Sequence, residues 1–133
     1  MNKIEHLGIA VRNLREAEAV FERLLGAGPY KRETVESERV TTSFFRMGES
    51  KVELLEATDP QSVIARYLER RGEGLHHVAF AVGDIRAEMQ RLKQAGFTLL
   101  SDEPRAGADN KWVCFVHPKD CNGVLVELCQ DRD

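Results

Sequence analysis

The chain has 133 residues, 42% of them apolar and 31% charged, with a formal net charge of −3. That length suits one ordinary domain with a real core, and the composition is that of a soluble globular protein. The charge excludes a global basic field for nucleic acid or an anionic membrane, and no apolar run reaches the roughly 18 residues of a membrane span.

The N-terminus enters a strand pattern at once, without a signal-peptide core. Residues 4–11 alternate, with Leu7, Ile9 and Val11 on one face and His6, Gly8 and Ala10 on the other. Asn13 with Glu16 three positions on resembles a capping box. Leu14, Ala17, Val20, Phe21, Leu24 and Leu25 then form a helical stripe that Gly26 stops. Strand-like runs follow at about 30–35, 40–47 and 51–56. Asp59-Pro60 is expected to open a linking helix over about 60–71, with Pro at its first position and Gly72 near its end.

The second half repeats the first. Residues 75–82 place Val78, Phe80 and Val82 opposite His77, Ala79 and Ala81. Asp84 caps a helix whose stripe is Ile85, Met89 and Leu92, and Gly96 closes it. Strands are expected near 97–100, 111–117 and 124–130. The fold class is therefore α+β: two βαβββ modules, about 1–58 and 74–133, packed as a pseudo-symmetric pair in a single domain spanning 1–133. Each module alone is too small for a good core. Cys114, Cys121 and Cys129 are odd in number and lack CxxC spacing, which argues against a disulfide framework and for a reducing cytoplasmic setting.

Each module offers one histidine on its first strand and one carboxylate on its last, at similar separations: His6 with Glu53, and His77 with Glu127. Two neutral imidazoles and two carboxylates are a common donor set for a divalent metal. Taken singly, a strand histidine is usually a hydrogen-bonded filler and a strand glutamate usually faces water. The coincidence at four matching repeat positions favours a metal site. Gly and Ala beside both histidines are expected to leave open volume. His76 falls on the face opposite His77 and reads as packing or support, and His117, before Pro118, reads as a turn residue.

The segments Lys3-Ile4-Glu5-His6-Leu7-Gly8-Ile9-Ala10-Val11, Lys51-Val52-Glu53-Leu54-Leu55-Glu56, Gly74-Leu75-His76-His77-Val78-Ala79-Phe80 and His117-Pro118-Lys119-Asp120-Cys121-Asn122-Gly123-Val124-Leu125-Val126-Glu127-Leu128 span nearly the whole chain. Through them the chain resembles the vicinal-oxygen-chelate superfamily and, within it, the methylmalonyl-CoA epimerase family. The resemblance implies a cup of paired βαβββ modules with His6, Glu53, His77 and Glu127 as metal ligands. It implies Co2+ as the ion, with Mn2+, Ni2+ or Zn2+ as alternatives, an acyl-CoA substrate and a homodimer. Some relatives carry a glutamate, proposed as a catalytic base, on the strand that here reads Val40-Thr41-Thr42-Ser43-Phe44, and Ser43 is aligned with it.

Epimerisation of (R)- and (S)-methylmalonyl-CoA needs removal and return of one α-proton through a metal-stabilised enolate. Glu127 and Glu53 are the candidate acid–base groups, and Lys111, Arg105 and Lys119 are candidate partners for the coenzyme A phosphates. Three rival readings stand beside it: a glyoxalase-type lyase acting on a hemithioacetal, an extradiol dioxygenase using two histidines and one carboxylate, and a non-catalytic binding or resistance protein. Glu53 as a fourth ligand disfavours the dioxygenase, which needs open metal positions.

Overall fold

The computed structural model describes residues 1–133. The elements run β1 (Lys3–Ala10), α1 (Leu14–Leu25), β2 (Lys31–Val35), β3 (Val40–Met47), β4 (Ser50–Ala57), α2 (Val63–Arg71), β5 (Gly74–Ala81), α3 (Ile85–Gln94), β6 (Arg105–Gly107), β7 (Lys111–Val116) and β8 (Val126–Asp131). This is the expected order: βαβββ, a linking helix, βαβββ. The residues group into two compact units, one of Leu7–His76 and one of Met1–His6 with His77–Asp133. The opening residues of β1 thus belong with the second half of the chain.

In the unit Leu7–His76, the Asn13 side chain accepts a hydrogen bond from Glu16 N at 3.0 Å and starts α1. Gly26 ends it in the left-handed region (φ 86°), where a side chain would be strained, and its N–H donates to Glu22 O. The stripe of α1 (Leu14, Ala17, Phe21, Leu25) packs on Val11, Phe45 and Leu54. β3 pairs antiparallel with both β2 and β4.

α2 starts later than its sequence suggests. Asp59 Oδ1 accepts from Gln61 N at 2.8 Å, so Asp59-Pro60 makes a turn, and the Ser62 hydroxyl caps the helix by accepting from Ile64 N at 3.1 Å. An Asp side chain bonding the backbone two residues on stabilises the turn in competition with the helix. Ile64 and Leu68 cover Ala10, Val40 and Leu55.

In the other unit, Asp84 caps α3 by accepting from Ala87 N at 3.1 Å, and Ile85, Met89 and Leu92 pack on Cys114, Val116 and Leu128. β5 runs parallel to β8, β8 antiparallel to β7, and β7 antiparallel to β6. The strand expected at 97–100 is reduced to a single bridge, Leu99 to Val116. The chain touches the β7 edge there and is then interrupted at Pro104, which cannot donate to a ladder. The first strand after α3 is the short β6, whose Arg-Ala-Gly carries no alternation to announce it. No helix is long and apolar enough to cross a membrane.

Candidate metal centre

β8 turns Leu128 into the core beneath α3, and alternation therefore sends Glu127 and Cys129 to the other face. Ala79 on β5 stands in register with Glu127, and Phe115 on β7 faces Glu127 from the other side. His77, two residues before Ala79, shares that face, and its ring meets the edge of Phe115 at 5.7 Å between centroids. β1 brings in His6. Ala79 is fully buried against Val113 and Cys129, so this small side chain is packed rather than bordering open volume.

Three side chains converge. His6 Nε2 lies 3.0 Å from His77 Nε2 and 3.1 Å from Glu127 Oε1, and His77 Nε2 lies 3.0 Å from the same oxygen. All three residues are buried, and their ligand atoms lie within 4.8 Å of one another. On the far edge of the His6 ring, Nδ1 is 2.6 Å from Glu5 Oε1. A carboxylate only accepts, so Nδ1 is the donor in that bond. In the neutral ring Nε2 is then a lone pair, aimed at a carboxylate oxygen and a second imidazole. One proton on His77 Nε2 serves only one of these acceptors. The cluster therefore calls for added positive charge, as a proton or as a metal ion.

The donor set fits a borderline divalent ion such as cobalt or zinc, which takes imidazole nitrogen and carboxylate oxygen together. The separations fit as well. Adjacent ligands on an octahedral ion with bonds of about 2.1 Å lie about 3.0 Å apart. For Glu127, burial alone raises the carboxyl pKa, but in the proton-bearing form of the cluster hydrogen bonds and charge from His6 and His77 outweigh it and hold the carboxyl below its ordinary range. Glu127 is thus an anion at neutral pH, as a metal ligand must be.

The remaining residues singled out from the sequence are placed as follows. Glu53, on β4 in the other unit, is buried and pairs with the buried Lys51 at 3.7 Å. Ser43 does not share its face. The β3–β4 register sets Phe44 opposite Glu53 and Ser43 opposite Leu54, so Ser43 points with Leu54 toward α1. There its hydroxyl donates to Glu18 at 2.7 Å. Ser43, aligned with the family glutamate, thus stands on the face of β3 away from Glu53, and Thr42 and Phe44 are the β3 residues on the Glu53 face.

His76 packs its ring edge-on against Tyr67 at 4.9 Å, in a packing role. His117 caps a short turn, its Nδ1 accepting from Lys119 N at 3.0 Å. Lys111, a candidate for phosphate, is instead committed inward to Glu5 at 3.7 Å and to Asp131. Arg105 and Lys119 are exposed. The three cysteines are free thiols, and burial pushes Cys114 and Cys121 up. Glu5 was not among the residues singled out, since a glutamate beside a strand histidine has no periodic signal of its own. The Glu-His dipeptide itself was the available signal.

The sequence profile of the Glyoxalase/Bleomycin resistance protein/Dioxygenase superfamily matches residues 5–115. The chain is 41% identical to an ethylmalonyl-CoA/methylmalonyl-CoA epimerase of Cereibacter sphaeroides, over 98% of each protein. It is 37% identical to the mitochondrial methylmalonyl-CoA epimerase of Homo sapiens, over 98% of this chain and 74% of the human one. A Streptomyces coelicolor methylmalonyl-CoA epimerase variant, solved with 2-nitronate-propionyl-CoA, superposes with a TM-score of 0.95 at 33% identity, over 98% of this chain and 95% of that one. The expected α+β fold of βαβββ modules is the fold of these proteins, and the chain belongs to the glyoxalase/bleomycin resistance protein/dioxygenase superfamily, in its methylmalonyl-CoA epimerase family.

Proposed function

We propose that the chain is a metal-dependent epimerase that interconverts (R)- and (S)-methylmalonyl-CoA. The observation that carries this reading is the buried meeting of His6 Nε2, His77 Nε2 and Glu127 Oε1, three potential ligand atoms about one point. Identity along the whole chain to epimerases supports the substrate class. A related epimerase has been solved with methylmalonyl-CoA bound.

His6, His77 and Glu127 would hold the ion. Glu53 enters as the fourth ligand on the strength of the family resemblance and of its burial as a carboxylate. When bound, a divalent ion supplies positive charge that polarises carbonyl oxygens and acidifies the carbon between them. The chain's own groups then have two tasks. The first is to present the ion without competing for it. The Glu127 carboxylate does this by staying ionised, and the rings of His6 and His77 by turning their Nε2 edges inward.

The second task is to move one proton. Inversion takes the α-proton from one face of the carbon and returns a proton to the other, so it needs two acid–base groups. We assign these to Glu53 and Glu127. Glu127 is the first candidate and Glu53 its counterpart on the strand at the matching repeat position. The resemblance supports Co2+ as the ion and a homodimer as the assembly, and the free cysteines fit a reducing cytoplasm.

The deciding experiment is proton NMR of methylmalonyl-CoA in deuterated water with the purified protein, with and without a chelator. The expected result is wash-out of the α-proton that stops on chelation and returns with Co2+. Persistence of the α-proton signal under all conditions would overturn the proposal.

A further inference from the structure

Glu5 belongs to no part of the reaction described above, yet it is a carboxylate with 6% of its surface exposed, lodged beside the candidate centre. A buried anion is costly unless it is paired and hydrogen-bonded. Here Oε1 accepts from His6 Nδ1 at 2.6 Å, and Oε2 lies 3.7 Å from Lys111 Nζ. Lys111 is in turn anchored to Asp131 at the end of β8, the strand that carries Glu127. The backbone around Glu5 is itself tied down, with Asn2 N donating to Ala81 O at 2.8 Å.

From this we infer that Glu5 is a positioning residue for the metal centre: it fixes His6 in the Nδ1–H tautomer and orients the ring so that the Nε2 lone pair faces His77 and Glu127. The inference rests on the metal-centre reading and assigns Glu5 a role outside the ligand set. Glu5 bonds Nδ1, while the other site residues meet Nε2, so the imidazole stands between the carboxylate and the point of convergence. The Glu5 charge also strengthens His6 as a donor, because a hydrogen bond from Nδ1–H to an anion pushes electron density toward Nε2. Lys111 balances that charge and keeps Glu5 from turning to solvent. The chain Asp131–Lys111–Glu5–His6 thus links the end of β8 to one ligand.

The test measures Co2+ affinity of the full-length protein by competition with a chromophoric chelator, alongside the visible spectrum of the bound ion. Glu5→Ala is expected to weaken binding by about 10- to 100-fold and to move the Co2+ bands. Glu5→Gln keeps an acceptor for Nδ1–H without its charge, so it should fall between the two, at least about threefold weaker than wild type. Affinity within twofold of wild type for Glu5→Ala, with a superimposable spectrum, would overturn the inference. If circular dichroism shows Glu5→Ala unfolded, Glu5→Gln decides alone, and parity with wild type overturns it. Failure of the wild-type protein itself to bind Co2+ is a separate result: it removes the metal centre, and the positioning role with it.

Discussion

Truncation of Glu18 probes how α1 is tied to the sheet behind the Glu53 strand. The carboxylate is buried and accepts from Arg32 Nε at 3.0 Å, from Arg32 Nη2 at 2.5 Å and from Ser43 Oγ at 2.7 Å. The donors are not equivalent. The Arg32 side chain is 40% exposed, so it regains water when Glu18 is removed, and its pair contributes little. Ser43 is fully buried, and a buried hydroxyl left without an acceptor costs about 1–3 kcal/mol. Glu18→Ala should therefore destabilise the fold by about 1–3 kcal/mol in urea denaturation at pH 7. Adding Ser43→Ala removes the orphaned hydroxyl, so the double variant should be about 1 kcal/mol more stable than Glu18→Ala alone.

The pH dependence gives an independent check. Hydrogen bonds from Arg32 hold the Glu18 carboxyl below its ordinary pKa; burial opposes this, and the Ser43 bond and nearby arginine charge assist it. A carboxyl depressed in the folded state stabilises fully above its unfolded value of about 4.3 and loses that contribution as pH falls through the folded value. Glu18→Gln, which keeps the shape but not the charge, should be less stable than wild type at pH 7. The gap should begin to close near pH 4 and vanish once wild-type Glu18 is protonated. A gap that stays constant from pH 7 to pH 3 refutes the electrostatic part of the reasoning. A double variant no more stable than Glu18→Ala refutes the part that rests on Ser43.

Two further outcomes are expected. Glu127→Gln removes the anion on which both histidine Nε2 atoms converge, so α-proton exchange of methylmalonyl-CoA in deuterated water should fall by at least about 100-fold; unchanged exchange would take Glu127 out of the mechanism. Gly26→Ala places a side chain at φ 86° with open space around it, so only backbone strain acts. A loss of about 1 kcal/mol is expected in thermal or urea unfolding, with unchanged Co2+ binding, and equal or greater stability would contradict the left-handed cap.

Strand parity made much of the centre legible in advance. Alternation alone separated His77 from His76, and the structure places the first with Glu127 and the second against Tyr67. Helix boundaries were legible where a side chain caps directly, as at Asn13 and Asp84, and misread at Asp59, whose carboxylate serves a turn. Ser43 shows how narrow the margin is. Its strand was correctly bounded, but a shift of one residue in alignment exchanges the Glu53 face for the α1 face, and nothing in Val-Thr-Thr-Ser-Phe marks which face is which.

The sequence by itself determined the element order, the doubled histidine and carboxylate and the residues of the apolar stripes, because those follow from local periodicity and capping. Only the tertiary structure decided what each charged side chain meets. Glu5 carried no signal in the alternation of its strand; its role emerges where β7 brings Lys111 beside it and its carboxylate meets His6 Nδ1. Lys111 looked like a surface cation until the same packing turned it inward. Long flexible side chains are not bound to the face their Cα dictates. Their partners come from strands distant in sequence, and no local pattern records that meeting.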